Sequence, residues 1–280
     1  MVDYKAIEFN TPGDMVKSLS ISNVLGLIQE PFNSEGVAQK TYDKHHANPN
    51  SEYFGMTVQE IMDKWSAKGK ASCHYGSLLD NYIGMILTEA DEMDIEMFKL
   101  DYDLDGDERL QGLVSSFDNF VSEVLNTHPN LKYVNREQTV YYKIGEGQYI
   151  KGRFDALFYN EDNGHYVIVD WKSSGTVDKK ATPWTGKLLG PAKDILALNH
   201  NTYTMQVYFY KTALEQMGYL PEGAVVDCII VQLPGAIVAE SNKNYCVHNP
   251  AFVYDKSLLD KIFVYAIKKN MILEKKNENK

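Results

Sequence analysis

Cysteine is scarce: Cys73, Cys228 and Cys246 are the only three in 280 residues, and no two form a C-x-x-C pair. That excludes a disulfide framework and gives no spacing for an iron–sulfur cluster, so the three are expected to be reduced core residues. No apolar run approaches the roughly 20 residues that cross a bilayer. The start of the chain, MVDYKAIEFN, lacks the basic-then-apolar order of a signal peptide. A cytoplasmic location away from membranes is therefore expected. G-x-x-x-x-G-K-[ST] is missing as well, which excludes an ATP site of that type. Neither an internal repeat nor a Pro/Gly/Ser-rich linker divides the chain, which points to one compact unit.

Positive charge is also in short supply, with a net charge of -10. Phosphate binding needs Lys and Arg, so this balance counts against a nucleic-acid partner until its distribution is considered. Residues 89–108, EADEMDIEMFKLDYDLDGDE, carry ten acids and one lysine, so the rest of the chain is near neutral. DNA could approach elsewhere. Within that stretch DYDLDGDERLQG opens like a calcium-binding EF-hand loop, but its twelfth position is Gly112, where a bidentate Glu is required. An acidic loop or helix cap is the better reading.

What is present divides into two textures. Residues 1–130 read as a helical lobe, with helices at 14–29, 56–67, 75–98 and 108–127. Residues 131–280 begin with QTVYYKI, YIKGRFDALFY and HYVIVDWKS, β-branched and aromatic runs separated by GEG and NEDNG. Three consecutive antiparallel strands are expected there. A helix at 202–217, the strands AVVDCIIVQL and AIVAESNKNYCVH, and a helix from Ser257 complete an α/β (α+β) pattern.

The NEDNG turn lets a hairpin bring Asp155 beside Asp170. Two strand carboxylates repel unless a cation lies between them, and oxygen ligands of this kind suit Mg²⁺ or Mn²⁺. A strand repeats every two residues, so Lys172 projects from the same face as Asp170, while Trp171 points away and leaves its backbone carbonyl free as a further ligand. Lys172 can then stabilise developing negative charge or orient a water. A lone D-x-K is more often a surface ion pair; its neighbours decide. Glu137 leads an earlier strand, Asp155 follows GRF, and Gln206 and Tyr210, four apart, share a helix face.

Taken in this order, these residues resemble the PD-(D/E)XK nuclease superfamily, and within it the RecB-like exonuclease branch that includes phage recombination nucleases. The resemblance runs from Val134 to Tyr219. It implies a restriction-endonuclease-like core, a mixed central sheet flanked by helices. Asp155, Asp170, Lys172 and Glu137 would be catalytic. Asp155, Asp170, the Trp171 carbonyl and Asp80 would hold one or two Mg²⁺ or Mn²⁺ ions, and Gln206 and Tyr210 would meet substrate. Asp80 stands in Gly76-Ser77-Leu78-Leu79-Asp80, where the branch usually carries G-T-x-x-H; His74 is the alternative, about 120° around the helix.

The implied activity is metal-dependent exonucleolytic hydrolysis of DNA ends or single strands, in recombination, repair or processing, beside a strand-annealing or replication partner. Tyr75, Tyr82 and Trp65 of the helical lobe could stack on bases. A DNA-binding or assembly subunit with a decayed metal site and a sequence-specific endonuclease are the alternatives. The absence of a cysteine cluster implies no iron–sulfur chemistry.

Overall fold

The computed structural model describes residues 7–182 and 185–278. Its elements are β1 (Lys17–Ser20), α1 (Ile21–Leu27), α2 (Ser34–His45), α3 (Val58–Leu87), α4 (Glu92–Asp101), α5 (Glu108–Phe120), β2 (Leu131–Arg136), β3 (Thr139–Gly145), β4 (Gln148–Arg153), β5 (Ala156–Asn160), β6 (His165–Lys172), α6 (Asn199–Gln216), β7 (Val226–Gln232), β8 (Cys246–His248) and α7 (Lys256–Glu278). The strands form a mixed sheet of order β2-β5-β6-β7-β8 and a small sheet of order β1-β4-β3. Helices flank both, in keeping with the expected α/β nuclease-like core. No helix among the described residues is long and apolar enough to cross a membrane.

The central strand β6 explains the layering. Tyr166 and Ile168 face a core shared with Met205, Phe209 and Phe263 from α6 and α7. Val169 and Trp171 alternate to the other face and pack with Leu79 and Ile83 of α3 and Phe117 and Phe120 of α5. The strand is thus apolar on both faces until Asp170 and Lys172 replace the aliphatic residues on the α6 side.

Several boundaries differ from expectation. YIKGRFDALFY is not one strand: β4 pairs with β3 in the small sheet, the chain breaks at Phe154 and Asp155, and β5 enters the large sheet against β6. The three expected consecutive strands are therefore two hairpins in two sheets. Gly152, just before the break, has no room for a side chain, since a Cβ there would stand 2.6 Å from the Phe209 ring. β2 and α2 lie where no element was expected, and Lys17–Ser20 is extended rather than helical.

The helices expected at 56–67 and 75–98 are instead α3, thirty continuous residues opened by a capping box between Thr57 and Glu60. It ends at Leu87; Glu89 then takes a left-handed φ of 53°, and Asp91 caps α4. Of AIVAESNKNYCVH only Cys246–His248 is a strand, because a turn closed by the Val238–Lys243 bridge takes up the rest. Cys228 and Cys246 are core residues as expected, but Cys73 is exposed on α3.

Candidate active site

Where β6 ends, β5 begins and α3 passes over them, a cavity of about 660 Å³ opens, lined among others by Asp80, Arg136, Glu137, Arg153, Asp155 and Lys172. Each element delivers its residue for a local reason. Asp155 sits at the switch between sheets, where backbone pairing is interrupted, and its Oδ2 accepts a 2.7 Å hydrogen bond from the Trp171 amide. Glu137 turns the chain between β2 and β3 with φ at 53°, a strained value for a residue with a side chain, and its amide donates to the Asp155 carbonyl at 3.3 Å. Glu137 lines the cavity from this turn.

Asp170 is fully buried. Its Oδ2 is 2.6 Å from Lys172 Nζ, a charge contact without hydrogen-bond direction, and neither oxygen has another protein donor. The Lys172 ammonium also donates to Gln206 Oε1 at 3.3 Å and lies 4.8 Å from the Tyr203 ring centre. Because Lys172 can only donate, the Gln206 amide must turn its oxygen that way, and its Nε2 then donates to the Tyr210 hydroxyl at 2.8 Å.

The charges bear the mark of burial. Desolvation, then the Asp170 charge, push Asp155 well above the usual carboxylate range despite opposition from Lys172 and the Trp171 amide. Burial also raises Asp170, against the pull of Lys172. Burial works against the Lys172 ammonium, yet Asp170 and Asp155 outweigh it and hold its pKa up. Glu137 is raised by desolvation and by Asp80, in spite of Arg153. Buried carboxylates short of donors are what a hard divalent cation would satisfy, so the donor set fits the ion that the carboxylate pair implies.

Of the two candidates on α3, Asp80 lines the cavity, whereas His74 is exposed and its ring meets Tyr75 at 5.7 Å between centroids. Trp171 lines the cavity, with its indole buried among Phe117 and Phe120. Tyr210 does not meet the expectation of a substrate contact: it is 1% exposed, and burial drives its hydroxyl well above the ordinary tyrosine range. It braces Gln206 from behind. Tyr82 is likewise unable to stack on a base, being 4% exposed with its hydroxyl on Asp118. Tyr75 donates to Asp107, the residue that caps α5 within the former EF-hand-like stretch, and Trp65 donates to Tyr53.

Two arginines escaped sequence reasoning. Arg136 Nη2 donates to the carboxylate and the backbone carbonyl of Asp80 at 2.8 and 2.9 Å. Its guanidinium lies across the bare Cα of Gly84, where a Cβ would come within 1.9 Å of Nη1. Arg153 Nε is 2.5 Å from Glu137 Oε2 and its side chain is 64% exposed. A glycine four residues after Asp80, on the same helix face, was the available signal for a bulky group crossing there.

A family model of the PD-(D/E)XK nuclease superfamily matches residues 79–267, and the chain belongs to that superfamily. No curated protein matches it. The match begins one residue before Asp80 and spans every strand from β2 onward together with α6. Membership makes the chain a nuclease, a phosphodiester hydrolase of a superfamily that uses divalent metals and acts on DNA.

Proposed function

We propose that this chain is a Mg²⁺- or Mn²⁺-dependent exonuclease of the RecB-like type, working in the cytoplasm on DNA ends in phage-type recombination, repair or processing. The observation that carries the reading is that Asp155 and Lys172 line one cavity, with Asp170 buried directly beneath them against Lys172 and Gln206, backed by Tyr210, holding the Lys172 ammonium from behind. Asp155 and Asp170 would hold the ion, with Asp80 and the Trp171 carbonyl as further ligands. Bound there, the metal would lower the pKa of a water and polarise the scissile phosphate. Lys172, held protonated by its acidic neighbours, would face the charge that builds on the phosphate, and Gln206 keeps that ammonium from swinging away. Glu137, with its raised pKa, would accept a proton from the attacking water. Arg153, largely exposed at the rim, would meet the DNA backbone.

A second reading has one specific observation in its favour. Asp80 replaces the histidine of the resembled motif and is already engaged by Arg136, as in a DNA-binding subunit with an inactive metal centre. Digestion of end-labelled linear DNA and a closed circle with Mg²⁺, Mn²⁺ or EDTA separates the two. Metal-dependent shortening from ends, with the circle spared, is expected. Cutting of the circle would make the chain an endonuclease, and DNA binding without cleavage under any metal would make it the binding subunit.

A further inference from the structure

The rows of the central sheet continue past the nuclease centre. Lys172 pairs with Gln232 and Gln232 with Cys246, while Asp170 is followed by Ile230 and then His248. Cys246 and His248, two apart on β8, therefore share one sheet face two strands from the cavity, 5% and 2% exposed.

Hydrogen bonding fixes which nitrogen of His248 is free. The Gln232 amide donates to the carbonyls of Ser174 and Gly175 at 3.1 and 3.0 Å, so its NH₂ is committed and its Oε1 faces His248 Nε2 at 3.0 Å. That oxygen only accepts, which places the ring proton on Nε2 and the lone pair on Nδ1. Nδ1 is 3.8 Å from Cys246 Sγ. The Val238–Lys243 turn brings in Glu240, so that one ligand atom from each of Glu240, Cys246 and His248 lies within 4.8 Å of the other two.

We propose that Glu240, Cys246 and His248 form a zinc site with one open position, separate from the nuclease centre. Zinc–sulfur and zinc–nitrogen bonds of about 2.3 and 2.0 Å at a tetrahedral angle put the two ligand atoms about 3.5 Å apart, close to the spacing present. A ligating histidine that donates its other N–H to a carbonyl oxygen is the usual support of such a site, and Gln232 supplies that oxygen. A sulfur, nitrogen and carboxylate set favours Zn²⁺ over Mg²⁺, the reverse of the all-oxygen nuclease centre. Lys179 now supplies the positive charge, 2.6 Å from Glu240, and the metal displaces it from that carboxylate. Through Gln232 the site fastens the segment that leaves β6 directly after Lys172. It does not depend on the nuclease reading.

The test is Co²⁺ titration of the full chain in excess Mg²⁺, read by thiolate-to-cobalt charge-transfer absorption, which an all-oxygen centre cannot produce. Wild type and Cys73→Ser are expected to develop the band at one equivalent, and Zn²⁺ to abolish it. Cys246→Ser loses it with unchanged circular dichroism, and His248→Asn, which removes a ligand, weakens binding by more than the roughly 10–100-fold usual for losing a supporting residue. Lys179→Met, which removes the competing ammonium, tightens it. Absence of the band in wild type at saturating Co²⁺ overturns the proposal. So does a band that follows the exposed Cys73 rather than Cys246.

Discussion

Carboxylates of two kinds gather at the cavity and directly beneath it. Asp155, at the break before β5, and Asp170, on β6, have a backbone amide and Lys172 between them and are otherwise short of partners. Asp80 and Glu137, from the helix and the turn, each have a private arginine. The first pair shares the single Lys172 ammonium between two buried carboxylates, so a proton or a further cation must supply the rest; the second has one arginine for each carboxylate. Affinity for the metal should therefore come from the strand pair, while the outer pair sets how much of that affinity is realised and releases its arginines when phosphates arrive.

The largest effect should come from Asp155→Asn, which keeps an oxygen for the Trp171 amide but removes the charge. Cleavage is expected to fall by about a thousandfold or more. Stability in EDTA should move the other way. The folded pKa of Asp155 is raised, so the folded state holds its proton longer than the unfolded chain does. The stability this group contributes is fully present below the unfolded pKa of about 3.9 and is lost as pH rises through the folded pKa. Chemical denaturation in EDTA should show the advantage of the variant over wild type growing as pH rises above about 4 and levelling off once Asp155 ionises in the folded state, and Mg²⁺ should narrow it. An advantage that stays flat with pH would show that the strand pair is not frustrated and would remove the contrast with the outer pair.

Lys172→Met comes next. Cleavage is expected to drop by about 10²–10³-fold, the usual cost of losing one preorganised charge at the reacting centre. Leaving Asp170 buried without its cation should also cost about 3 kcal/mol of stability in EDTA, partly restored by Mn²⁺. Lys172→Arg should not rescue activity, because Asp170, Gln206 and Tyr203 enclose a compact ammonium rather than a planar fork. Full rescue by arginine would mean that the Gln206 contact does not position the charge.

The contrast between the two pairs also explains what could be read from the sequence. Asp155, Asp170 and Lys172 were legible because strand period and a strong turn suffice to place them. The break inside YIKGRFDALFY was not, since both halves alternate like one strand and Phe154-Asp155 carries no turn chemistry. The fusion of α3 was hidden because residues 68–74 are mostly exposed, show no apolar period and include Gly69, a poor helix former. Arg136 was invisible for a different reason: its role depends on a helix some fifty residues earlier that exposes Gly84 to it. The cysteine and histidine of β8 looked like ordinary strand alternation, and Glu240 reaches them only through a turn.

Arg136→Met sharpens the outer half of the comparison. Freeing Asp80 from a half-buried ion pair is worth about 1 kcal/mol, so the Mg²⁺ concentration for half-maximal cleavage should fall about fivefold. DNA affinity should fall at the same time if the guanidinium also meets a phosphate. A rise in the metal requirement would show instead that Arg136 holds Asp80 in its ligating pose rather than competing for it.

Gly84→Ala should be the smallest of these effects and the most telling, because it touches no charge. Its methyl would land on the Arg136 guanidinium, which is the far end of a long side chain and can yield, so the arginine should leave Asp80 while the helix stays intact. The gain in helix propensity, up to about 1 kcal/mol, roughly offsets the lost contact, so the denaturation midpoint should hardly move. The metal requirement should shift in the direction of Arg136→Met but by a smaller factor, and the double variant should add nothing further, as expected of two changes that act through one contact. Additive effects would mean that Gly84 and Arg136 act separately, and Asp80 would then have to be grouped with the strand carboxylates.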